Sequence, residues 1–354
     1  MYTIYDNEKY MKRCLDLASM GRGNTGANPM VGAVIVYNGK IIGEGYHKKY
    51  GELHAEVNAI NSVKEKSLLN KSILYVNLEP CSHMGKTPPC TELIIKSNIP
   101  RVIIGTIDPN SIVSGKGLKK LNANGIKVIT GVLEKESINL NKRFFTFYKK
   151  KRPYIILKWA QTIDGYIDVV RKNIQNPQFT WISNQISRML VHKWRTEEQA
   201  ILIGTNTALL DNPQLNIRFW HGNSPVRIVL DRTLRLPSGL HLFDKTLNTI
   251  VLNEKKEKIN GKIEYIKINF KQKSPEEIVK ILFHKEIQSV LVEGGKMLLE
   301  NFIQKNMWDE ARIFVGNKEF KEGIRAPVIP AGPNQVTHLA DDRLLIFYNN
   351  TLNI

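Results

Sequence analysis

Cysteine is scarce: Cys14, Cys81 and Cys90 are the only three in 354 residues. So sparse and odd a set excludes a disulfide framework. No apolar run approaches the roughly 20 residues that a membrane helix needs. The opening stretch, MYTIYDNEKYMKRCLDLA, carries acids and lysines where a signal peptide has its apolar segment. A cytoplasmic protein with no membrane partner is therefore expected. There is no GxGxxG, so the ordinary dinucleotide fingerprint is missing, and no internal repeat or low-complexity tract is present. Acidic residues are few beside basic ones, 33 against 51, for a net charge of +18. Such an excess can mark a nucleic-acid binder. Here the lysines are scattered, as in KKEKI and FKQKS, and are not interleaved with aromatics as a stacking groove requires. Drift toward Lys, Asn and Ile, together with a phosphorylated small-molecule ligand, accounts for the charge more simply.

What is present suffices for two cores. The chain is too long for one ordinary domain, and 42% of it is hydrophobic. Residues 7–20 read as an amphipathic helix that buries Cys14 with Met11, Leu15 and Ala18. VGAVIVY (31–37) and KIIGEGYH (40–47) read as strands joined by a tight Asn38-Gly39 turn. A helix over 54–65, a buried strand over 72–78, a helix from Cys90, a strand over 101–107, a helix over 116–124 and a strand over 127–132 follow. This alternation indicates a layered α/β domain over 1–147. The charged stretch YKKKRP (148–153) is the expected linker. A second α/β domain over 153–354 begins with YIILKWA and continues through AILIG, VRIVLD, TIVLN, SVLVEGG and ARIFVG. Helices are expected over 184–195, 275–285 and 296–305.

The strongest pattern is His54-Ala55-Glu56 with Pro80-Cys81 and Cys90. Zinc accepts imidazole nitrogen and thiolate sulfur, and a catalytic zinc keeps three protein ligands and an open fourth position. Bound zinc brings the pKa of a water molecule toward neutrality. A deaminase then needs a carboxylate near the metal but not on it, to move protons from water to the leaving ammonia. Glu56, two residues beyond His54, can face the substrate while His54 faces the metal. A His-x-Glu followed by Pro-Cys is the signature of zinc nucleobase deaminases. The spacing of the cysteines is wider here than the usual Cys-x-x-Cys, within CSHMGKTPPC. His83 and Lys86 in that insert add a donor and a positive charge for a phosphate or a polar pyrimidine edge. The bland reading, unrelated buried thiols and a surface imidazole, does not explain all four residues together.

The second half says less by itself. VLVEGGKMLLENF is a strand, a glycine pair and a helix. Gly294 and Gly295 either admit a phosphate to the helix amides or form a simple turn. Glu293 stands at a strand's carboxyl end, where α/β domains place functional groups. Lys158 lies within an apolar strand, as a functional cation or a snorkelling one. Asp164-Gly165 is a turn or part of a site. Arg195 and Arg218 bind a substrate phosphate or are solvated.

The runs NPMVGAVIV, GEGYHKKYGELHAEVNAI, YVNLEPCSHMGKTPPC, DPNSIVSGKG, LKWAQTIDG, HKWRTEEQAILIGTNTALLDNPQLNIR and VEGGKMLLENF resemble the bifunctional riboflavin biosynthesis proteins. In these a diaminohydroxyphosphoribosylaminopyrimidine deaminase is fused to a 5-amino-6-(5-phosphoribosylamino)uracil reductase. The resemblance implies an α/β fold in two domains. The N-terminal one would be a cytidine-deaminase-like α/β/α layer domain and the C-terminal one a dihydrofolate-reductase-like α/β domain. It implies two cofactors, Zn2+ and NADPH, with phosphorylated pyrimidines as partners. On this resemblance His54, Cys81 and Cys90 hold zinc, Glu56 shuttles protons, and Asn28, His47, His83 and Lys86 contact the pyrimidine or its ribose phosphate. Ala160, Trp181, Thr207, Asp211 and the run Gly295, Lys296, Met297, Leu298 would contact the reductase cofactor. Lys158, Arg195, Leu215, Arg218 and Glu293 would face the reductase substrate. Lys158 and Asp164 are both candidates for the reductase proton donor. Some positions depart from the family: Ala27 and Ser111 stand where it has proline, and Phe179 sits near an expected polar substrate contact. The segment EGIRAPVIP also differs. The alternative reading is a nucleic-acid base deaminase with an accessory domain; a zinc-stabilised binding protein without turnover is a further one. Oligomeric state, a homo-oligomer included, is left open by the sequence.

Overall fold

The computed structural model describes residues 4–84, 88–111, 113–170, 180–270 and 275–349. Lys86 and Phe179 lie outside the described residues. The chain divides into two compact units, one ending at Lys150 and the other beginning at Lys151.

The first unit runs α1 (Ile4–Ser19), β1 (Gly32–Tyr37), β2 (Lys40–Tyr46), α2 (Ala55–Ser62), β3 (Ile73–Leu78), α3 (Cys90–Lys96), β4 (Arg101–Thr106), α4 (Lys116–Ala123), β5 (Lys127–Thr130), α5 (Glu134–Leu140) and α6 (Lys142–Lys150). Its sheet has the order β2-β1-β3-β4-β5. β1 is antiparallel to both neighbours, whereas β3, β4 and β5 are parallel. Alternation along the strands separates two cores. Ala33, Ile35, Leu74, Val76, Val102 and Ile104 pack beneath α2, α3 and α4. Val34, Val36, Ile73, Tyr75 and Ile103 meet Met11, Cys14 and Leu17 of α1 on the opposite face. Each buried Val, Leu, Ile or Met among them contributes about 1.5–3 kcal/mol. The β1–β2 turn has positive φ at both Asn38 (46°) and Gly39 (74°), as a two-residue hairpin requires. α2 lies close against β2 because Gly45 has no side chain; a Cβ there would meet the Ala59 nitrogen at 2.4 Å. That close approach fixes where α2 begins, and α2 begins at the metal motif.

The boundary between the units falls within the expected linker, 148–153, whose first half is helical. Tyr148–Lys150 complete α6, whose Phe144, Phe145 and Phe147 are buried. Arg152 is buried too, and its guanidinium grips both carboxylate oxygens of Asp309 at 2.5 and 2.7 Å.

The second unit contains β6 (Tyr154–Thr162), β7 (Tyr166–Asp168), α7 (Gln185–Glu197), β8 (Ala200–Ile203), α8 (Thr205–Asp211), β9 (Val226–Leu230), β10 (Thr249–Asn253), β11 (Lys258–Asn260), β12 (Ile263–Lys267), α9 (Pro275–His284), β13 (Ser289–Val292), α10 (Lys296–Gln304), β14 (Glu310–Gly316), β15 (Ile324–Arg325), β16 (Gln335–Leu339) and β17 (Asp342–Tyr348). Ten of these strands form one sheet, ordered β11-β12-β10-β9-β8-β13-β6-β14-β17-β16. Its centre is parallel and its edges antiparallel. Central strands such as AILI and SVLV are buried throughout, as parallel strands covered on both faces must be.

Candidate active sites

In the first unit two helix starts and one strand end bring the metal motif together. His54 is the N-cap of α2, in extended conformation. Cys90 opens α3, with Pro89 as its N-cap. Cys81 follows the extended Glu79-Pro80 segment beyond β3. His54 Nδ1 lies 3.3 Å from Cys90 Sγ and 3.6 Å from Cys81 Sγ. The three ligand atoms fall within 4.8 Å of one another, and all three cysteines of the chain are free thiols. One nitrogen and two sulfurs at this spacing fit a zinc ion with a fourth position left open.

The surroundings of Cys81 favour its thiolate form. Cys81 is held down to about 4, first by the Cys90 thiol and then by His54, while burial opposes the shift. The backbone amide of Cys90 also donates to the Cys81 sulfur at 3.3 Å. The Cys81 sulfur beside it, together with burial, pushes the Cys90 thiol up. Glu56 is buried in the first turn of α2. Burial, with the Cys81 charge, raises its carboxyl to about 7; a divalent cation alongside pulls in the opposite direction.

His47 and Asn28 form a second layer of the same site. The His47 ring meets that of His54 edge-on, with centroids 5.5 Å apart. Its Nδ1 faces the Leu53 carbonyl at 3.1 Å and its Nε2 faces the Asn28 side-chain amide at 3.0 Å. Both ring nitrogens are thus engaged by protein, and the Asn28 amide is turned by the imidazole. His83 is exposed beyond Cys81.

In the second unit every cofactor-side and substrate-side residue expected from the sequence lines one cavity of about 1190 Å³: Lys158, Ala160, Trp181, Arg195, Thr207, Asp211, Leu215, Arg218, Glu293 and Gly295 to Leu298. The parallel register that pairs Val292 with Leu157 sets Glu293 beside Lys158. Glu293 accepts two bonds from Arg195, at 3.1 and 2.9 Å, and its Oε2 lies 3.6 Å from Lys158 Nζ. Burial alone would raise the Glu293 carboxyl, but Arg195 and Lys158 hold it at about 2. Burial also lowers the Lys158 ammonium. At the other wall, Gly295 caps α10 and gives its amide to Thr207 Oγ1 at 2.9 Å. Gly204 faces open space. A glycine-edged helix start opening on a large cavity is suited to the phosphates of a nicotinamide cofactor. Asp164 behaves differently from expectation. It does not line this cavity; its carboxylate is taken up by the Thr162 hydroxyl and by the amides of Phe320 and Lys321, so it fastens a loop.

Comparison with known proteins agrees with this division. Residues 4–106 match the cytidine and deoxycytidylate deaminase zinc-binding region, and residues 153–340 match the RibD C-terminal domain. The riboflavin biosynthesis protein RibD of Aquifex aeolicus is 43% identical over 90% of this chain and 89% of its own length. The chain belongs to the RibD family. The Escherichia coli RibD is 33% identical, covering 88% of each chain. The crystal structure of a diaminohydroxyphosphoribosylaminopyrimidine deaminase/5-amino-6-(5-phosphoribosylamino)uracil reductase from Thermotoga maritima superposes with a TM-score of 0.87 at 38% identity, covering 98% of this chain and 99% of that one. As a RibD protein, this chain is a bifunctional enzyme of riboflavin biosynthesis, with a zinc-binding deaminase domain and a reductase domain that uses a nicotinamide cofactor. The reductase match over 153–340 speaks against the nucleic-acid deaminase reading. Among the described residues no helix is long and apolar enough to cross a membrane.

Several residues of these RibD sites gave no usable signal in the sequence. Asn77 and Asn141 are buried amides that hold the backbone of Met30, and so the loop that carries Asn28. His192 is buried beside Arg195 and accepts the Arg218 amide on Nδ1 at 3.1 Å. Burial, with the neighbouring Arg195 and Arg218, lowers its imidazole to about 4, so it stays neutral. Asn206, Arg232 and Arg235 also line the reductase cavity.

Proposed function

We propose that the first unit deaminates 2,5-diamino-6-(5-phosphoribosylamino)pyrimidin-4-one. On this proposal the second unit reduces the ribosyl group of 5-amino-6-(5-phosphoribosylamino)uracil to ribityl with NADPH, in the cytoplasm. The observation that carries the first half is the convergence of His54, Cys81 and Cys90 within 4.8 Å of one another beside the buried Glu56. When bound there, zinc supplies an acidified water near neutral pH. Glu56 takes a proton from the attacking water and delivers it to the departing nitrogen, so that ammonia leaves. Asn28, oriented by His47, reads a polar edge of the pyrimidine, and His83 contacts its ribose phosphate.

In the reductase, NADPH is the source of hydride for the ribose carbon. Thr207, Asp211 and the start of α10 position that cofactor, with Ala160 and Trp181 lining the same cavity. Arg195 and Arg218 hold the substrate phosphate. Glu293 keeps Arg195 and Lys158 in place, and Lys158 Nζ donates the proton to the ring oxygen as the sugar opens.

The test supplies purified protein with the diaminopyrimidine phosphate and either NADPH or NADH, following ammonia and coenzyme oxidation separately. Ammonia release followed by preferential NADPH oxidation is expected. Glu56→Gln should keep its zinc and lose deamination by about 10²–10⁴-fold. Deamination near the wild-type rate in that variant would remove Glu56 from the proton path. Equal use of NADH would remove the NADPH assignment.

A further inference from the structure

Immediately before Pro80-Cys81, the side chain of Glu79 is 4% exposed, and no cation of the described residues forms an ion pair with it. Its carboxylate instead accepts three backbone amides: Asp108 at 3.2 Å and Gly115 at 3.0 Å on Oε2, and Gly117 at 2.9 Å on Oε1. Gly115 is the N-cap of α4, in left-handed conformation, and Gly117 lies in its first turn. The carboxylate therefore fastens both ends of the connection between β4 and α4, at Asp108 and at Gly115 and Gly117, to the segment that carries a metal ligand. The fit is close: a Cβ on Gly117 would stand 2.3 Å from the Pro80 carbonyl oxygen. On its other side Cys81 is held by α3. Its carbonyl accepts both the amide and the hydroxyl of Thr91 at 3.2 Å, and its sulfur accepts the Cys90 amide.

We propose that Glu79 is a positioning residue of the deaminase site, holding the Pro80-Cys81 segment against the β4–α4 loop so that the Cys81 sulfur points at the metal. This rests on the reading of His54, Cys81 and Cys90 as zinc ligands. A carboxylate is suited to the task because it accepts several amides at once. An amide side chain in its place offers one acceptor oxygen and turns an NH₂ group toward N–H donors. Groups that orient a metal ligand from behind are worth about 10–100-fold in metal affinity or activity.

The test uses the full chain, so that reductase turnover on the deaminated substrate reports folding of the rest of the molecule. In Glu79→Gln, zinc affinity measured by competition with a chromogenic chelator should fall, or deaminase kcat should fall with KM little changed, by about 10–100-fold. The thiolate-to-metal absorption of the cobalt-substituted protein should shift, and reduction should continue at the wild-type rate. Gly117→Ala, which keeps the carboxylate but crowds both it and the Pro80 carbonyl, should move the same readouts in the same direction; it carries the test if Glu79→Gln does not accumulate. Wild-type zinc affinity, cobalt spectrum and kcat would overturn the proposal. So would a loss of thermal stability with those three unchanged, which is what helix capping alone would give. Cys81→Ser separates this from the zinc reading. If that variant binds zinc as the wild type does, the metal site is wrong. If it loses zinc while Glu79→Gln keeps wild-type zinc affinity, cobalt spectrum and kcat, only the role of Glu79 is.

Discussion

The two active sites are built on opposite plans. The deaminase site draws its ligands from helix starts and a strand end, and few residue types can serve there. The reductase site draws on β6, α7, α8, β13 and α10 to enclose a large cavity, and its central feature is a buried anion between two cations. One site depends on a metal that the chain must capture, the other on charges that the fold must keep together. The first is therefore fragile to chemistry and the second to folding.

Stripping the metal is expected to give the largest separation. Dialysis against a strong chelator should lower deamination by about three orders of magnitude or more, since no side chain at the site acidifies water by itself. Reduction assayed in the same sample should persist. Parallel loss of both would erase the distinction. Next comes Glu293→Ala, which leaves the buried Arg195 and the half-buried Lys158 without their anion. Denaturant titration should find the second unit destabilised by about 3–5 kcal/mol, with the unfolding of the first unit unmoved. Acid probes the same cluster more gently. The Glu293 carboxyl sits at about 2 in the fold, against 4.5 as its ordinary value. Its stabilising contribution is complete above about pH 4.5 and declines as pH falls through 2. The second unit of the wild type should weaken over that window, and Glu293→Gln should flatten the trend. The smallest effect concerns α7, which carries Arg195. Its N-cap Asn184 accepts the Ser187 amide at 3.0 Å, and Asn184→Ala should cost about 1 kcal/mol in the thermal unfolding of the second unit. A loss in the first unit instead would mean the units do not unfold separately.

The same contrast explains what could be read from the chain alone. His54, Glu56, Cys81 and Cys90 were legible because zinc chemistry restricts both residue type and spacing. The buried strands of both sheets were legible because their apolar runs lie between turn residues, as in GAVIVY and AILI. α5 and α6 were missed. The charges of YKKKRP suggested a linker from residue 148, whereas α6 runs to Lys150 and its phenylalanines pack inward. β16 was missed because its residues are largely exposed and carry no apolar alternation. α8 was missed because its short run follows β8 directly. Residues of the reductase cavity could be named only through a family resemblance, since Lys158, Arg195 and Glu293 acquire meaning from tertiary contact. Asp164 shows the cost of that: by sequence it is as good a proton donor as Lys158, but its carboxylate is spent on a loop. Asn77, Glu79 and Asn141 are beyond pattern reading altogether, because their partners are backbone atoms distant in the sequence.

The ion pair between Arg152 and Asp309 bears on where this enzyme can be divided. A boundary drawn by sequence likeness falls at Pro153, one residue past the arginine that closes the bottom of β6 and β14. A fragment started there would lose both guanidinium bonds to a carboxylate that also holds the Ile155 amide. A reductase cut free of its companion should begin at Lys151 or earlier; started later, it would carry a folding defect easily mistaken for dependence on the deaminase.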